Sequence, residues 1–456
     1  MIFRKRNIIL VLLCILAACV GKEKQVEVRD LDEIKESGEI KAVTLYNSTS
    51  YFHYKEDTLG YEYELIKDFA NTQGLKLSVI IAKDSEELIE IIKSGDADVA
   101  AYPVFISNEL QEEVLFCGHE ELTYQVLVQR NNLGDTLLRD VTNLIGKDVH
   151  IRANTKYSQR IKNLNAEIGG GINIHEITND TITTEDLIEM VSKGEIAYTV
   201  SDDNIAKLNK TYFWNIDIRM PISFKQRSSW IVNKNCTQLA EAINEWASNT
   251  EGERTYKATV KRYFELSKRS DEEDIITIGV GQISPYDDIF AKYAPEIGWD
   301  WQLLASIAYQ ESKFHTNLRS WAGAEGLMGI MPNTARSFGA DPQELWDPET
   351  SIKIAVKYIK ASQKAFSRIE DPIEKIKFIL AAYNSGVGHV NDAQRLTDHF
   401  GKDPYIWDNN VAEYARLKSE PEYYNNPVCR HGYLRGSETY NYVKEVLERY
   451  HRYKGN

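Results

Sequence analysis

One glutamate in the C-terminal third of the chain combines a carboxyl group with an apolar helical stripe. Leu304, Ile307, Ala308 and Glu311 recur at i, i+3, i+4 and i+7, so they share one face of a predicted helix. Burial on that face and the negative end of the helix dipole both raise the pKa of a carboxyl group. A carboxyl group that stays protonated near neutral pH is what a general acid requires. Taken alone, the pattern still favours a plainer interpretation, a surface glutamate at a frayed helix end.

Three later segments, in a fixed order, carry residues suited to a site around this acid. They are residues 326–332 (GLMGIMP), 381–386 (AAYNSG) and 438–443 (ETYNYV). The first is a glycine-rich apolar loop, in which glycine permits close backbone approach and Met328 offers a soft apolar contact. In the second, Tyr383 lies on the core-facing side of a predicted helix, at i+4 from Ile379. The four segments together predict one site.

Glu311-Ser312, followed by these three segments, resembles the soluble-lytic-transglycosylase family of goose-type lysozyme-like domains. The resemblance covers about residues 283–450 and implies a mainly helical, lysozyme-like fold. Most glycosidases use two carboxylates, whereas this family is known for one catalytic glutamate. The resemblance implies that Glu311 protonates the oxygen between N-acetylmuramic acid and N-acetylglucosamine, and then removes a proton from the muramoyl C6 hydroxyl. The expected product is a 1,6-anhydromuramoyl sugar, formed without a cofactor.

The same resemblance implies roles for five further residues at matching positions. Ser312 contacts Glu311 or the sugar, Tyr383 hydrogen-bonds to Glu311, Asn384 shapes the subsite, Met328 lines the groove, and Tyr442 lies near the acid. For the tyrosines and the asparagine, a purely structural hydrogen-bonding role stays open, because buried phenol and amide groups need partners in any case. The family often has Gln after Gly-Leu-Met, where this chain has Gly329, so an amide that would bind sugar is absent.

The region before this one alternates strand and helix signals, which predicts an α/β fold with helices on the faces of a sheet. Its segments 60–65 (GYEYEL), 93–98 (KSGDAD) and 201–203 (SDD) resemble the family 3 periplasmic solute-binding proteins. The resemblance implies two lobes with a ligand cleft between them. Residues 107–113 lack the arginine that clamps the carboxylate in amino-acid-binding members. The expected ligand is therefore an unidentified small molecule or a muropeptide. Asp202 and Asp203 are either cleft residues that hold a cation or solvated loop carboxylates.

The first 18 residues predict export. Arg4, Lys5 and Arg6 precede a short apolar run that is too short to span a bilayer. The tetrapeptide ending at Cys19 resembles the lipobox of bacterial lipoproteins, which implies cleavage before Cys19 and lipid attachment to it. Val20 rather than Asp at the next position favours the outer membrane by the enterobacterial sorting rule. A plain signal peptide is the alternative.

Composition excludes several other classes of protein. The formal net charge is −14, most of it before residue 281, so nucleic-acid binding is not expected. The 9 His and 5 Cys form no H-E-x-x-H or C-x-x-C pattern, so neither a metal site nor a cofactor is expected. A disulfide between Cys117 and Cys236 is possible in an exported protein, but the sequence does not establish it. A charge cluster at 268–274 indicates a linker.

We therefore expect a multidomain protein, with a bilobal α/β domain like the periplasmic binding proteins followed by a mainly α lysozyme-like domain. The predicted parts are a signal peptide (1–18), an anchor and linker (19–38), a solute-binding-like domain (39–267), a linker (268–282) and a lytic transglycosylase domain (283–456). Lobe one is predicted at 39–125 plus 220–267, and lobe two at 126–219. The predicted partners are peptidoglycan strands and, through the lipid anchor, the periplasmic side of the outer membrane.

Two other hypotheses remain open from the sequence. One is a solute-binding lipoprotein whose C-terminal domain binds glycan without cleaving it. The other is allosteric: a ligand in the first domain alters lytic activity, a hypothesis that rests on the fusion of the two domains alone.

Overall fold

The computed structural model describes residues 28–455, apart from 56, 154, 179–181, 183 and 266–281. The predicted signal peptide, Cys19 and nearly all of the predicted linker 268–282 lie outside the described residues. Within the part that is described, no helix combines the length and the apolar character needed to cross a bilayer.

The N-terminal region alternates strands and helices, as predicted. In chain order they are α1 (Leu31–Ser37), β1 (Glu39–Leu45), β2 (Phe52–Tyr54), β3 (Asp57–Leu59), α2 (Tyr61–Thr72), β4 (Lys76–Ala82), α3 (Ser85–Ser94), β5 (Val99–Phe105), α4 (Asn108–Gln111), β6 (Val114–Thr123), β7 (Gln125–Arg130), β8 (Asp148–Arg152), α5 (Lys156–Glu167), β9 (Asn173–Ile177), α6 (Thr184–Lys193), β10 (Tyr198–Asp202), α7 (Asp203–Lys210), β11 (Ile216–Pro221), β12 (Gln226–Asn233), α8 (Thr237–Thr250) and α9 (Arg254–Phe264).

These strands form two five-stranded sheets, one in each lobe. The first has the order β4-β1-β5-β12-β6, with β1 parallel to its two neighbours and β12 antiparallel to its own. The second has the order β11-β7-β10-β8-β9. The chain crosses from the first sheet to the second between β6 and β7 and returns between β11 and β12. The bilobal prediction is confirmed. Separate from both sheets, β2 and β3 pair as a short antiparallel hairpin, with Phe52 opposite Leu59.

The C-terminal region is helical, as predicted. Its helices are α10 (Asp287–Tyr293), α11 (Trp301–Ser312), α12 (Pro332–Ser337), α13 (Pro348–Ala365), α14 (Pro372–Ser385), α15 (Val387–His399), α16 (Ala412–Leu417), α17 (Pro421–Tyr424) and α18 (Gly436–Lys454), with short turns at Ala294–Ile297, Pro342–Trp346 and Trp407–Val411. Between residues 282 and 455 the described chain contains no β-strand. One apolar core joins these helices, and α11, α13 and α14 contribute the largest part of it.

Local signals set many of the element ends. Asp84 caps α3 by accepting a hydrogen bond from the Glu87 N–H, and Gly95 ends the helix in the left-handed region at φ 74°. The stretch from Thr237 to Phe264 is not one continuous helix. The structure has two helices, α8 and α9, with Gly252 between them, because glycine is a poor helix former and the chain turns there.

The described cysteines are free thiols. Cys117 and Cys236 are both buried and unpaired, and Cys429 is half-buried. The disulfide that an exported protein would permit between Cys117 and Cys236 is therefore not formed. Burial raises the pKa of Cys117 well above its ordinary value, so this thiol behaves as a small apolar side chain.

Candidate active site

Glu311 lies in the last turn of α11 with its carboxyl group almost buried. The helix presents Leu304, Ile307 and Ala308 to the core, and the side chain of Glu311 is only 11% exposed. Lys313 ends the helix in the left-handed region at φ 53°, a conformation that is uncommon for residues other than glycine. The apolar stripe therefore carries the acid into the interior, as the spacing predicts.

Two side chains from opposite ends of the chain meet the two carboxylate oxygens of Glu311. The Tyr442 hydroxyl donates to Oε1 at 2.7 Å. Lys55 Nζ lies 3.4 Å from Oε2 and donates to the Gly329 carbonyl oxygen at 2.9 Å. Burial raises the pKa of Glu311, and Lys55 and Tyr442 oppose this rise because both stabilise the carboxylate. The group is thus suited to give up a proton and to take one back.

Gly329 brings the glycine-rich loop directly against the acid. Its backbone has φ +58°, and a Cβ placed there would lie 2.2 Å from Glu311 Oε2. Any other residue would collide with the carboxyl group in this conformation and would adopt a strained backbone. The glycine that replaces the family's usual Gln is therefore explained by this close approach.

The structure corrects the predicted contacts of two neighbours of Glu311. The Tyr383 hydroxyl donates to the Met328 carbonyl oxygen at 2.8 Å, not to Glu311. Ser312 is 1% exposed, and its Oγ lies 3.0 Å from Ala308 O and 2.7 Å from Leu327 O. In the described conformation both side chains therefore fasten the glycine-rich loop to the helices around it, and neither hydrogen-bonds to the acid; their roles toward a sugar stay predictions.

The surroundings of Met328 and Asn384 also bear on their predicted roles. Met328 is fully buried and belongs to the helical core, so its side chain does not line a groove as predicted. Asn384 Oδ1 accepts a hydrogen bond from Thr439 Oγ1 at 2.8 Å. It also borders a small cavity together with Tyr54 and Trp321, and its role at a sugar subsite stays a prediction.

The β2–β3 hairpin of the N-terminal region fills the space in front of Glu311. Lys55 lies at its turn with φ 54°. A Cβ on Gly386, the last residue of the AAYNSG segment, would lie 2.6 Å from the Lys55 carbonyl oxygen, so glycine leaves room for the turn. His389 Nε2 is 3.1 Å from the His53 carbonyl oxygen, and Asn333 donates to Asp57.

This hairpin was missed by sequence reasoning. Lys55 and Glu311 are 256 positions apart, and no periodicity or motif reports such a pairing. With the hairpin in place, the cavity bordered by Tyr54, Trp321 and Asn384 measures about 30 Å³. Ligand pockets commonly measure about 300–1,000 Å³, so this cavity is small for a ligand. Glu311 does not line it and is itself only 11% exposed beneath Lys55, so the acid is closed in the described conformation.

The C-terminal region also contacts both lobes of the N-terminal region. Arg152, at the end of β8 in lobe two, pairs with Glu420. The Tyr424 hydroxyl donates to the Tyr46 carbonyl oxygen of lobe one at 3.1 Å, and Tyr433 donates to Glu185 at 3.2 Å. Burial raises the pKa of Glu420 to about 7, against the influence of Arg152. The catalytic region therefore touches both lobes at once.

The two aspartates that sequence reasoning placed near the cleft between the lobes have cationic partners. Asp202 contacts Lys156 and the Tyr157 hydroxyl. Asp203 is 2% exposed and pairs with Lys207 at 2.7 Å. Among the described residues, no group of three His, Cys, Asp or Glu side chains is arranged to hold a metal ion. Neither aspartate is thus a solvated loop carboxylate, and each already has a cation beside it.

Two family models match the chain. Residues 40–266 match the bacterial extracellular solute-binding proteins, family 3. Residues 288–406 match the transglycosylase SLT domain.

Similar curated proteins span nearly the whole chain. Membrane-bound lytic murein transglycosylase F of Desulfosudis oleivorans is 32% identical over 425 residues, which cover 92% of this chain and 91% of the relative. The protein of the same name from Aeromonas hydrophila is 29% identical over 442 residues, 96% of this chain and 86% of the relative. Among solved structures, the L-cystine solute receptor of Neisseria gonorrhoeae in its unliganded open conformation gives a TM-score of 0.43 at 17% identity, covering 52% of this chain and 98% of that one.

Proposed function

Because the chain belongs to the membrane-bound lytic murein transglycosylase F family, we propose that it cleaves peptidoglycan as a lytic transglycosylase, a carbon–oxygen lyase. The bond broken is the β-1,4 bond between N-acetylmuramic acid and N-acetylglucosamine. The observation that carries the proposal is Glu311, a nearly buried carboxyl group of raised pKa that is held by Tyr442. The alternative of a solute-binding lipoprotein with a non-catalytic C-terminal domain is not favoured, since the matched domain and the relatives are transglycosylases.

The surroundings of Glu311 suit both halves of the reaction. In the first half the carboxyl group gives its proton to the glycosidic oxygen, the bond from that oxygen to the muramoyl C1 breaks, and N-acetylglucosamine leaves with the proton. In the second half the carboxylate takes the proton of the C6 hydroxyl, and O6 bonds to C1 to close the 1,6-anhydro ring. Burial favours the acid form needed first, and the Tyr442 hydroxyl stabilises the carboxylate needed second.

Mass spectrometry of the muropeptides released from purified peptidoglycan tests this function. Wild-type protein should release 1,6-anhydromuramoyl products, and Glu311→Gln should lower their rate at least about a thousandfold, because the proton donor is removed. Glutamine has nearly the same shape, so the melting temperature should change little. If reducing-end muramic acid were the sole product of the wild type, the protein would be a hydrolase and the proposal would be wrong.

We also propose that the N-terminal domain restrains catalysis. The hairpin places Lys55 on Glu311 and leaves the side chain of the acid only 11% exposed, so a glycan strand binds only after the hairpin withdraws. The C-terminal region also contacts both lobes of the N-terminal domain. This contact supplies a physical basis for the allosteric hypothesis, in which a ligand of the cleft changes lytic activity.

The anchor and the domain limits complete the proposal. The lipobox resemblance supports a lipid on Cys19 that holds the protein on the periplasmic side of the outer membrane, and the names of the relatives agree with membrane association. We keep the division into a solute-binding-like domain (39–267), a linker (268–282) and a transglycosylase domain (283–456). Residues 39–267 are called the binding domain, and residues 283–456 are called the catalytic domain.

A further inference from the structure

Trp321 lies on a rigid turn of the catalytic domain, between the helix of the acid and the glycine-rich loop. The Ser320 N–H donates to Ala324 O at 2.8 Å, and the Ala324 N–H donates to Ser320 Oγ at 2.9 Å. Glu325 then pairs with Ile330 through two backbone hydrogen bonds of 2.8 and 3.1 Å. The turn that carries the indole is thus fastened to the loop that carries Gly329, which itself touches Glu311.

Four aromatic rings surround Trp321, and all four come from the binding domain. The hairpin supplies Phe52 at 6.3 Å and Tyr54 at 5.8 Å between ring centroids. Tyr212 of lobe two lies at 6.5 Å and Tyr263 of α9 at 6.1 Å. The indole is nevertheless only partly buried. Two of these neighbours, Phe52 and Tyr54, therefore belong to the hairpin that must move before a glycan binds.

The indole shares a cavity with the sugar-subsite candidate Asn384. Trp321, Tyr54 and Asn384 all border the same space of about 30 Å³. The indole packs against Tyr54. The next residue in the chain is Lys55, whose Nζ contacts Glu311 and blocks the acid. Once the hairpin withdraws, the side of the indole that Phe52 and Tyr54 cover becomes open, in a space that Asn384 also borders.

A flat aromatic face that borders the same space as a sugar-subsite candidate has a natural partner. One side of a pyranose ring presents C–H groups, and the face of an indole is electron-rich, so the two stack while the sugar hydroxyl groups stay free for hydrogen bonds. We infer that Trp321 is a substrate-binding residue whose indole stacks on a pyranose ring of the glycan, and that Phe52 and Tyr54 hold the place of that sugar in the closed protein. This inference rests on the proposed function.

Steady-state kinetics of the full chain on soluble, uncrosslinked glycan strands tests this, with anhydro ends counted by mass spectrometry. Trp321→Ala should raise KM about tenfold and leave kcat within about twofold, because stacking is made with the bound substrate as much as with the transition state. Trp321→Phe should keep KM within about threefold of the wild type. Trp321→Leu, which keeps apolar volume but has no flat face, should behave like Trp321→Ala and serves if the alanine variant does not fold.

Phe52→Ala is the matched control, because it removes a ring from the same contact on the binding-domain side. It should loosen the hairpin without raising KM. If Trp321 were only a docking residue, Trp321→Leu would leave KM unchanged or lower it, as Phe52→Ala does, and the inference would be overturned. An equal rise of KM in Trp321→Phe and Trp321→Leu would overturn it as well. A wild-type protein that releases no anhydro ends contradicts the proposed function itself, a separate result from either of these.

Discussion

The two oxygens of the Glu311 carboxyl group contact different domains of the protein. Oε1 accepts from Tyr442, which stays with the acid because both belong to the catalytic domain. Oε2 faces Lys55, which leaves with the hairpin. Since Lys55 lowers the pKa of Glu311, its departure removes a cation that favours the carboxylate. Withdrawal of the hairpin therefore clears the site and also removes one influence against the acid form.

Tyr442→Phe tests the hydrogen bond from Tyr442 to Glu311, which remains after the hairpin withdraws. Loss of the hydroxyl removes a donor that stabilises the carboxylate, so the pKa of Glu311 should rise further. Turnover needs the protonated acid and is lost as the pH rises through that pKa, so the basic limb of the pH–rate profile should move to higher pH. We expect kcat to fall about tenfold, because the base half of the reaction loses its hydrogen bond.

The control for this prediction is Tyr450→Phe on the same helix, α18. The Tyr450 hydroxyl contacts Asp300 rather than Glu311, so its loss should leave the profile in place. A basic limb that stays fixed in Tyr442→Phe, or that moves equally in both variants, would contradict the prediction.

At the scale of elements, local patterns predict those contacts that lie within one helix or strand. The i, i+3, i+4, i+7 spacing places Glu311 on the buried face of α11, and the same argument correctly buries Tyr383, which is 3% exposed. It does not say which tyrosine reaches the acid, because that depends on how α14 and α18 cross α11. The order of motifs predicts the catalytic region, whereas Lys55 is invisible from sequence because it arrives from another domain.

The hairpin itself lacks the usual sequence signal for such a turn. Two-residue hairpin turns favour Asn-Gly or Asp-Gly because both central residues take positive φ. Here Lys55 holds φ 54° without a glycine, a conformation that costs on the order of 1 kcal/mol. The contacts of Lys55 with Glu311 and Gly329 offset that cost only while the hairpin is docked.

Lys55→Met tests the restraint by the hairpin. Methionine keeps an apolar stem of similar length but cannot pair with Glu311 or donate to Gly329 O, so the docked state should lose about 1 kcal/mol or more. Basal release of anhydro products by the full chain should then rise at least about fivefold. Lys76→Met is the control, since Lys76 is 79% exposed on the edge strand β4. Turnover in Lys55→Met no higher than in the wild type would count against a restraining role.

At the scale of the whole molecule, the contact between the two domains contains a buried cluster of charged and histidine side chains. Lys418 is fully buried, and its Nζ lies 2.7 Å from Asp392 Oδ2 and 3.0 Å from His389 Nδ1. The rings of His53, His389 and His431 stand 6.0–6.4 Å apart. Burial, and then the neighbouring cationic groups, lower the pKa of His53 and hold that of His389 well below its usual value.

Docking of the hairpin should therefore weaken in acid. In the docked state the imidazoles of His53 and His389 resist protonation, whereas a released hairpin lets them titrate nearer their ordinary pKa of about 6.5. The released state then binds more protons, so docking has its full strength above that pH and loses up to about tenfold per pH unit per imidazole below it. Protonation of Glu311 also weakens its pair with Lys55, in the same direction. The pKa of Asp392 is lowered, so this carboxylate stays charged throughout.

Hydrogen exchange of residues 52–59 at pH 5.5 and 7.5, corrected for intrinsic rates, measures how the docking of the hairpin depends on pH. Protection of the hairpin should be lower at pH 5.5, and His53→Asn should reduce the difference. His175→Asn, at a half-exposed site in lobe two, should leave the difference unchanged. Equal corrected protection at the two pH values in the wild type would contradict the prediction.

The position of the hairpin in the chain also fixes an order in time. Lys55 leaves the ribosome 256 residues ahead of Glu311, and domains of a growing chain generally fold from the N-terminus onward. The binding domain is thus complete before the acid has been synthesised. A chain cut short by interrupted translation contains the hairpin but not the catalytic domain. Every completed catalytic domain is attached to a hairpin that was synthesised before it. The proposed restraint is therefore available as soon as each catalytic domain folds.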